Sequence, residues 1–441
     1  MIILGDTIAA IATGAAPGGV GVIRVSGPRA IEIVAGVVGC EASELTRKIR
    51  YAIAKDAGGA RLDEVVAFAM RAPRSFTGED VAEIQGHGGG ANLARLLAAT
   101  LAAGARAAEP GEFTRRAFGN GKLDLTRAEA LLAVIESGSE RALRVNQELL
   151  SGALANALDL MEQRATEVLA EIEGSIDFPE DDLMLAPEGW AHQQLLALSG
   201  QCSRWVASFA VGKALRQGIT VALVGPVNVG KSSLLNALAE QNRALVSSQP
   251  GTTRDYVELR VEWNGVAVTL IDTAGLRASS DEIETAGIEL GRARAAQAEV
   301  VLHVSDQAFD ANAVVDSRTI LVRSKADLAV DDTVGVLAVQ RTSATTGEGL
   351  AELRQRILQI ATAGAVDGDD GVMLITERQR SRAQDAALRF GDAALGLAEG
   401  RPLEMLALDV RQAVHALAEL RGHEVTERVL DEVFARFCIG K

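Results

Sequence analysis

Eight consecutive residues, Gly225-Pro226-Val227-Asn228-Val229-Gly230-Lys231-Ser232, carry the spacing G-x-x-x-x-G-K-S. Glycines let main-chain N–H groups close around phosphate oxygens, the lysine neutralises charge on the outer phosphates, and the serine hydroxyl can ligate Mg²⁺. The context suits that chemistry. Ile219-Thr220-Val221-Ala222-Leu223-Val224 reads as an apolar strand before the loop, and Ser233-Leu234-Leu235-Asn236-Ala237-Leu238 as a helix after it. A simple glycine turn is the plainer alternative, and this context disfavours it.

Further stations follow in order. Asp272-Thr273-Ala274-Gly275 closes a hairpin whose arms, 257–263 and 266–271, flank the turn dipeptide Asn264-Gly265. Asp272 at a strand end can hold Mg²⁺ through water, and Gly275 allows close approach to a γ-phosphate. Between the two stations, Gly251-Thr252-Thr253-Arg254-Asp255 offers Thr253 to complete the Mg²⁺ shell. Ser233 just after the phosphate loop, Ser248 and Pro250 just before Gly251, and Thr273 and Ala274 inside the D-x-x-G motif count as nucleotide-contacting candidates. In Ser324-Lys325-Ala326-Asp327, the Asp327 carboxylate can accept from the N1–H and exocyclic amine of guanine, while the Lys325 stem lies on the base. Adenine has no matching pair of donors. Ser343-Ala344 fits a final base-contacting loop.

This order of motifs resembles the TrmE-Era-like GTPases. Such GTPases usually carry Asn where this chain has Ser324, so the resemblance predicts retained GTP specificity through Asp327 with weaker affinity. The position after the D-x-x-G motif, where Ras-type enzymes place a water-orienting Gln, is Leu276. Another group must orient the water. The acidic run Ser280-Asp281-Glu282-Ile283-Glu284 follows closely, and spacing leaves the choice among its carboxylates open, with a solvated helix start as the bland reading. The Asn228 amide oxygen, with main-chain carbonyls from the 247–252 loop, can ligate a monovalent cation such as K⁺, which would supply transition-state charge.

The elements that must position these residues suggest several domains. At about 150 residues per domain, a chain of 441 residues has room for three. Residues 1–120 mix short β-type runs (20–25, 65–69) with a helical stretch at 91–103, an α+β pattern. Residues 121–215 are rich in Ala, Leu, Glu and Arg and read as helices; residues 216–363 alternate strand and helix; and 372–441 return to helix after a Gly/Asp-rich linker. The expected architecture is multidomain: an α+β N-terminal domain, a discontinuous all-α domain, and an α/β Ras-like P-loop domain inserted within it.

Hydrophobic residues at 48% and charged residues at 23% allow sizeable cores. The net charge of −15 argues against a basic nucleic-acid coat, and 3% aromatics against a base-stacking platform. Cys40, Cys202 and Cys438 are scattered and odd in number, which suits a reducing cytoplasm better than a disulfide framework or zinc site. No targeting signal or membrane span is expected.

The flanking blocks extend the resemblance along the chain. Residues 18–27 (GGVGVIRVSG), 75–80 (SFTGED), 85–89 (QGHGG), 110–118 (PGEFTRRAF), 122–125 (KLDL) and 437–441 (FCIGK) are similar to the MnmE (TrmE) family of tRNA modification GTPases. That resemblance implies an N-terminal folate-binding, dimer-forming domain. It also implies a flavoprotein partner of the MnmG (GidA) type, bringing FAD and NADH, with which the family installs a 5-carboxymethylaminomethyl-type group on the wobble uridine of certain tRNAs. The one-carbon unit would come from a 5,10-methylene- or 5-formyl-tetrahydrofolate, and the assembly would be a homodimer within a heterotetramer. By motif match, Arg24, Glu83, Lys122 and Lys441 would contact folate, Glu284 would orient water, and Asn228, Ser247, Gln249 and Thr252 would form the K⁺ shell. Cys438 is the cysteine in a shared motif and a candidate for a chemical role; a buried small hydrophobe is its bland reading. His87, among glycines, reads more simply as structural or solvated. A ribosome-assembly or signalling GTPase acting as a binding switch is the alternative, and it has no reason to carry the folate blocks or the CIGK tail. For tRNA, two stretches are locally +2: 112–127, with Arg115, Arg116, Lys122 and Arg127, and 377–382, with Arg378, Arg380 and Arg382.

Overall fold

The computed structural model describes residues 5–14, 18–177, 187, 189–240, 258–272, 296–309, 316–328, 339–364 and 371–440. These fall into two compact units, Met1–Leu132 with Arg421–Lys441, and Ala133–Leu420.

The first unit is built on a six-stranded sheet of β1 (Ile8–Ile11), β2 (Val20–Ser26), β3 (Arg50–Lys55), β4 (Arg61–Met70), β5 (Val81–His87) and β6 (Arg106–Ala107), in the order β3-β4-β5-β2-β1-β6. All neighbours are antiparallel except β1 and β6. Strand alternation decides which residues meet which layer. Ile23 and Val25 of β2 and Ala82 and Ile84 of β5 face the helices α1 (Ala30–Val38) and α2 (Gly90–Ala102), whose Val34, Leu93 and Leu96 complete that core. Arg24 and Glu83 therefore project from the opposite face. A smaller apolar cluster of Ile8, Ala10, Ala108 and Phe113 includes the first residues of α3 (Glu112–Gly119). Helix α4 (Leu125–Glu136) contributes Leu125 and Leu132 to a cluster closed by Phe434 and Phe437, from and just beyond the last helix, Glu427–Phe434.

The second unit contains α5 (Glu140–Ser151), the long helices α6 (Ala153–Asp177) and α7 (Trp190–Gln217), and a second six-stranded sheet. Its strands are β7 (Ile219–Val224), β8 (Glu258–Trp263), β9 (Val266–Asp272), β10 (Val300–Ser305), β11 (Thr319–Arg323) and β12 (Val339–Arg341), in the order β12-β11-β10-β7-β9-β8. The sheet is parallel except for the β8–β9 hairpin, where Asn264 (φ 50) and Gly265 (φ 76) supply the left-handed pair that a two-residue turn needs. Helices α8 (Lys231–Glu240) and α9 (Leu350–Ala361) accompany it, followed by α10 (Glu377–Ala398) and α11 (Leu403–Arg421). Helix α10 is capped reciprocally: the Thr376 hydroxyl accepts from Gln379 N–H while the Gln379 side chain accepts from Ile375 N–H. Among the described residues no helix is long and apolar enough to cross a membrane.

Candidate nucleotide and one-carbon sites

Strand β7 lies between β10 and β9, so chain order reverses on either side of it. In an open α/β sheet that reversal opens a crevice at the carboxyl ends of the strands, where ligands bind. The phosphate-loop motif sits there, between β7 and α8. Gly225 takes φ +145, and a Cβ on it would lie 2.1 Å from the Val304 carbonyl of β10. Only glycine lets the loop leave the strand so close to its neighbour.

Lys231, 4% exposed, folds under the loop, and its ammonium donates to Gly225 O at 2.9 Å and Pro226 O at 2.5 Å. The Ser232 hydroxyl donates to Asp272 Oδ2 at 2.7 Å. Asp272 is the last residue of β9 and stands opposite Leu223 of β7, so the sheet register itself brings hydroxyl and carboxylate together. Two hard oxygen donors side by side form a set that suits Mg²⁺.

The loop at 324–327, the candidate base-contacting loop, is tied directly to the phosphate-loop motif. Ser324 follows β11; its hydroxyl donates to Val229 O at 2.5 Å and its N–H to Ser305 O at 2.9 Å. Lys325, at φ 56, donates to Asn228 O at 3.1 Å and to Asp306 at 2.8 Å, holding the Asp306 carboxyl below the usual carboxylate range. Asp327 is exposed in a single 3-10 turn, Ala326–Leu328, anchored by Ala326 N–H to Thr342 O. The buried Ser343 hydroxyl accepts from Thr345 and Thr346 N–H, shaping the turn that carries Ala344. Ser233 is exposed on the first turn of α8. Ser247, Ser248, Gln249, Pro250, Gly251, Thr252, Thr253, Thr273, Ala274, Gly275, Glu284 and Lys441 lie outside the described residues.

A second constellation lies on the open face of the first sheet. Arg24 and Glu83 are direct partners in the β2–β5 register, and the guanidinium meets Glu83 Oε1 at 2.9 Å. The Phe76 and Phe113 rings flank the Arg24 guanidinium at 6.0 Å, and it also donates to Gly440 O at 3.4 Å. The C-terminal tail thus reaches this face, where Gly440 (φ +95) passes so close to Ile11 O that an added Cβ would lie 2.3 Å away. The Lys122 ammonium donates to Pro73 O at 3.1 Å. Of the three cysteines only Cys438 is exposed; burial pushes the Cys202 thiol up to about 12.

His87 is not simply solvated. Its Nδ1 lies 2.7 Å from Asp63 Oδ1, and Asn92 holds the same carboxylate at 2.6 Å. Burial pushes the Asp63 carboxyl up, but hydrogen bonds from His87 and Asn92 outweigh it and leave it lowered; the His87 imidazole is raised in turn. Nothing in the spacing of 63 and 87 signals this pair, because it arises from the β4–β5 pairing. The basic stretches also look different in three dimensions. Arg115 pairs with Glu427 and Asp431, Arg116 is buried, and Arg127 reaches Asp124. Arg378 donates to the Glu419 and Leu420 carbonyls, Arg380 pairs with Glu377 over the Phe209 ring, and Arg382 with Glu419 and Asp385. Each of those guanidiniums is engaged by a carboxylate or carbonyl of the chain itself.

Residues 7–122 match the model of the GTP-binding protein TrmE N-terminus, and residues 125–438 that of the MnmE helical domain. A curated relative from Synechococcus sp. (strain WH7803), tRNA modification GTPase MnmE, is 42% identical over 99% of this chain and 98% of its own length. The Geobacter sulfurreducens protein of the same name is 39% identical over 99% of both chains. With both models and full-length relatives agreeing, the chain belongs to the MnmE family of tRNA modification GTPases.

Proposed function

We propose that the chain is a GTP-hydrolysing enzyme of tRNA modification, acting in the cytoplasm on the wobble uridine of certain tRNAs. In this reading an inserted G domain burns GTP, while a folate-binding domain and an MnmG-like flavoprotein, carrying FAD and using NADH, build a 5-carboxymethylaminomethyl-type group. A homodimer, joined with the partner as a heterotetramer, would bring two copies of each site together. The observation that carries the reading is the coexistence on one chain of the Ser232–Asp272 couple at the switch point and the Arg24–Glu83 pair beside the C-terminal tail.

The residues divide the work in a simple way. Lys231 has three ammonium protons and two loop carbonyls to serve, which leaves one for a β/γ-phosphate oxygen. Ser232 and Thr253 would hold Mg²⁺, with Asp272 behind Ser232; the ion would supply charge neutralisation for the phosphates. Asn228 and the carbonyls of Ser247, Gln249 and Thr252 would hold K⁺, which would add positive charge for the transition state. Glu284 would orient the attacking water, and Asp327 would read guanine. On the first sheet, Arg24, Lys122 and Lys441 would bind folate carboxylates and Glu83 the pterin amine; the tetrahydrofolate supplies a one-carbon unit. Cys438, exposed two residues before Gly440, would be the candidate thiol for that site.

The test is mass analysis of wobble uridine in tRNA from a strain lacking this chain. Loss of the modified nucleoside is expected, and an unchanged profile ends the reading. Turnover of GTP in K⁺ against Na⁺ tests the cation separately, because equal rates remove K⁺ without touching the tRNA chemistry.

A further inference from the structure

The Ser324 hydroxyl has one proton to give. It points at Val229 O, 2.5 Å away, in a position 6% exposed, with Ser305 O the next acceptor at 3.3 Å. What remains on the oxygen is lone pairs. Ser324 also lies between the phosphate loop and Asp327: Val229 is one residue before Gly230-Lys231, and Asp327 is three residues further along.

A guanine nucleotide with phosphates at Lys231 and its N1–H and 2-amino edge at Asp327 must pass its five-membered ring between those points, beside Ser324. The groups on that side of the base, N7 and O6, are both acceptors. An acceptor facing the lone pairs of a hydroxyl whose proton is already engaged forms no hydrogen bond.

We infer that Ser324 is a positioning residue that locks the base-reading loop to the phosphate loop and leaves guanine N7 unread, so that base recognition rests on Asp327. This rests on the GTPase reading above. The lock is doubled by Lys325, whose ammonium reaches Asn228 O, so both links from the base loop end on adjacent carbonyls of the phosphate loop. The loop is held by the protein's own bonds, and N7 adds nothing to them.

The test is competition binding on the full-length protein with GTP, 7-deaza-GTP, which lacks the N7 acceptor, and ITP, which lacks the 2-amino group. GTP and 7-deaza-GTP should bind within about twofold of each other, less than the roughly fivefold that a neutral hydrogen bond contributes. ITP should bind about tenfold more weakly, because a bond to a carboxylate is lost. In Ser324→Asn the amide has two N–H protons, one for Val229 O and one for N7, so GTP should gain about fivefold over 7-deaza-GTP. Ser324→Ala should weaken both alike, a uniform loss that leaves their ratio near one. A parent protein that prefers GTP to 7-deaza-GTP by fivefold or more overturns the inference, as does a Ser324→Asn variant that shows no new preference. Equal binding of ITP and GTP sinks the role of Asp327 instead, and absence of GTP binding sinks the GTPase reading itself.

Discussion

Ser139 donates its hydroxyl proton to the Gly265 carbonyl while the same oxygen accepts the Ala142 N–H. One side chain therefore caps helix α5 and grips the β8–β9 turn. Arg141 adds a bond to Asn264 O at 3.2 Å, so the hairpin whose second strand ends on Asp272 is clasped at its tip by the start of α5. Substituting Ser139→Ala removes the cap and the clasp together, and unfolding stability should fall by about 2 kcal/mol. Thermal denaturation checks this; an unchanged midpoint would mean that neither bond contributes.

Arg116 is fully buried and serves Asp6, Glu79 and Glu112 together, with Arg106 as second cation for Asp6 and Glu112. Arg116→Met should cost about 3 kcal/mol, the low end for breaking a buried ion pair, since Asp6 and Glu79 keep some contact with water. The pH dependence follows from Glu112. Burial raises its carboxyl, but Arg106, the Glu109 N–H and Arg116 outweigh that and lower it. A lowered carboxyl contributes stability above its unfolded value, near 4.5, and loses it as pH falls through the folded one. The gap between parent and variant in urea unfolding should therefore be full at pH 7 and narrow below pH 4.5.

The imidazole of His87 should titrate above 6.5 in the folded protein, because the Asp63 carboxylate bonds to it and attracts its charge. A raised histidine stabilises the fold below its unfolded value and ceases to do so as pH rises through the folded one. Following the ring proton shifts by NMR gives the answer, and Asp63→Asn should return the midpoint toward 6.5. A midpoint at or under 6.5 in the parent would show the pair does not form in solution.

Gly440→Ala tests the tail. With φ +95 and Ile11 O so near, the added methyl must push residues 438–440 off the sheet face that holds Arg24. Calorimetric titration with 5-formyl-tetrahydrofolate should show at least tenfold weaker binding, about what losing one hydrogen bond to a charged group costs. Full affinity in the variant would exclude the tail from that site.

Much of the nucleotide site was legible because its chemistry is local in sequence. The apolar run 219–224 is strand β7 to the residue, the Asn264-Gly265 turn joins β8 and β9, and the phosphate loop sits between strand and helix as its glycines and lysine require. Within the helical stretch expected at 372–441, α11 stops before Gly422 and a separate helix follows at Glu427–Phe434, since a residue at φ +105 ends a right-handed helix. What spacing could not show is whatever depends on strand pairing or on which charges meet. Arg24 and Glu83 are 59 positions apart, and the resemblance placed both near folate without saying that they face each other. Asp63 carried no signal at all. Counting charges along 112–127 and 377–382 gave a surplus, but a guanidinium is used by whatever carboxylate or carbonyl the fold brings to it, and for Arg115, Arg378 and Arg382 those partners come from remote helices.

The last helix and the residues after it have a consequence for how the protein is made. Phe434 and Phe437 complete the apolar cluster begun by Leu125, Ala128 and Leu132, and Gly440 abuts β1. During synthesis the N-terminal sheet emerges first, yet the segment that closes this cluster leaves the ribosome some three hundred residues later. At about 10 residues per second that wait is roughly half a minute. Through that interval Leu125, Ala128 and Leu132 stand without the Phe434 and Phe437 rings that cover them in the folded unit, so the nascent first unit carries an uncovered apolar surface.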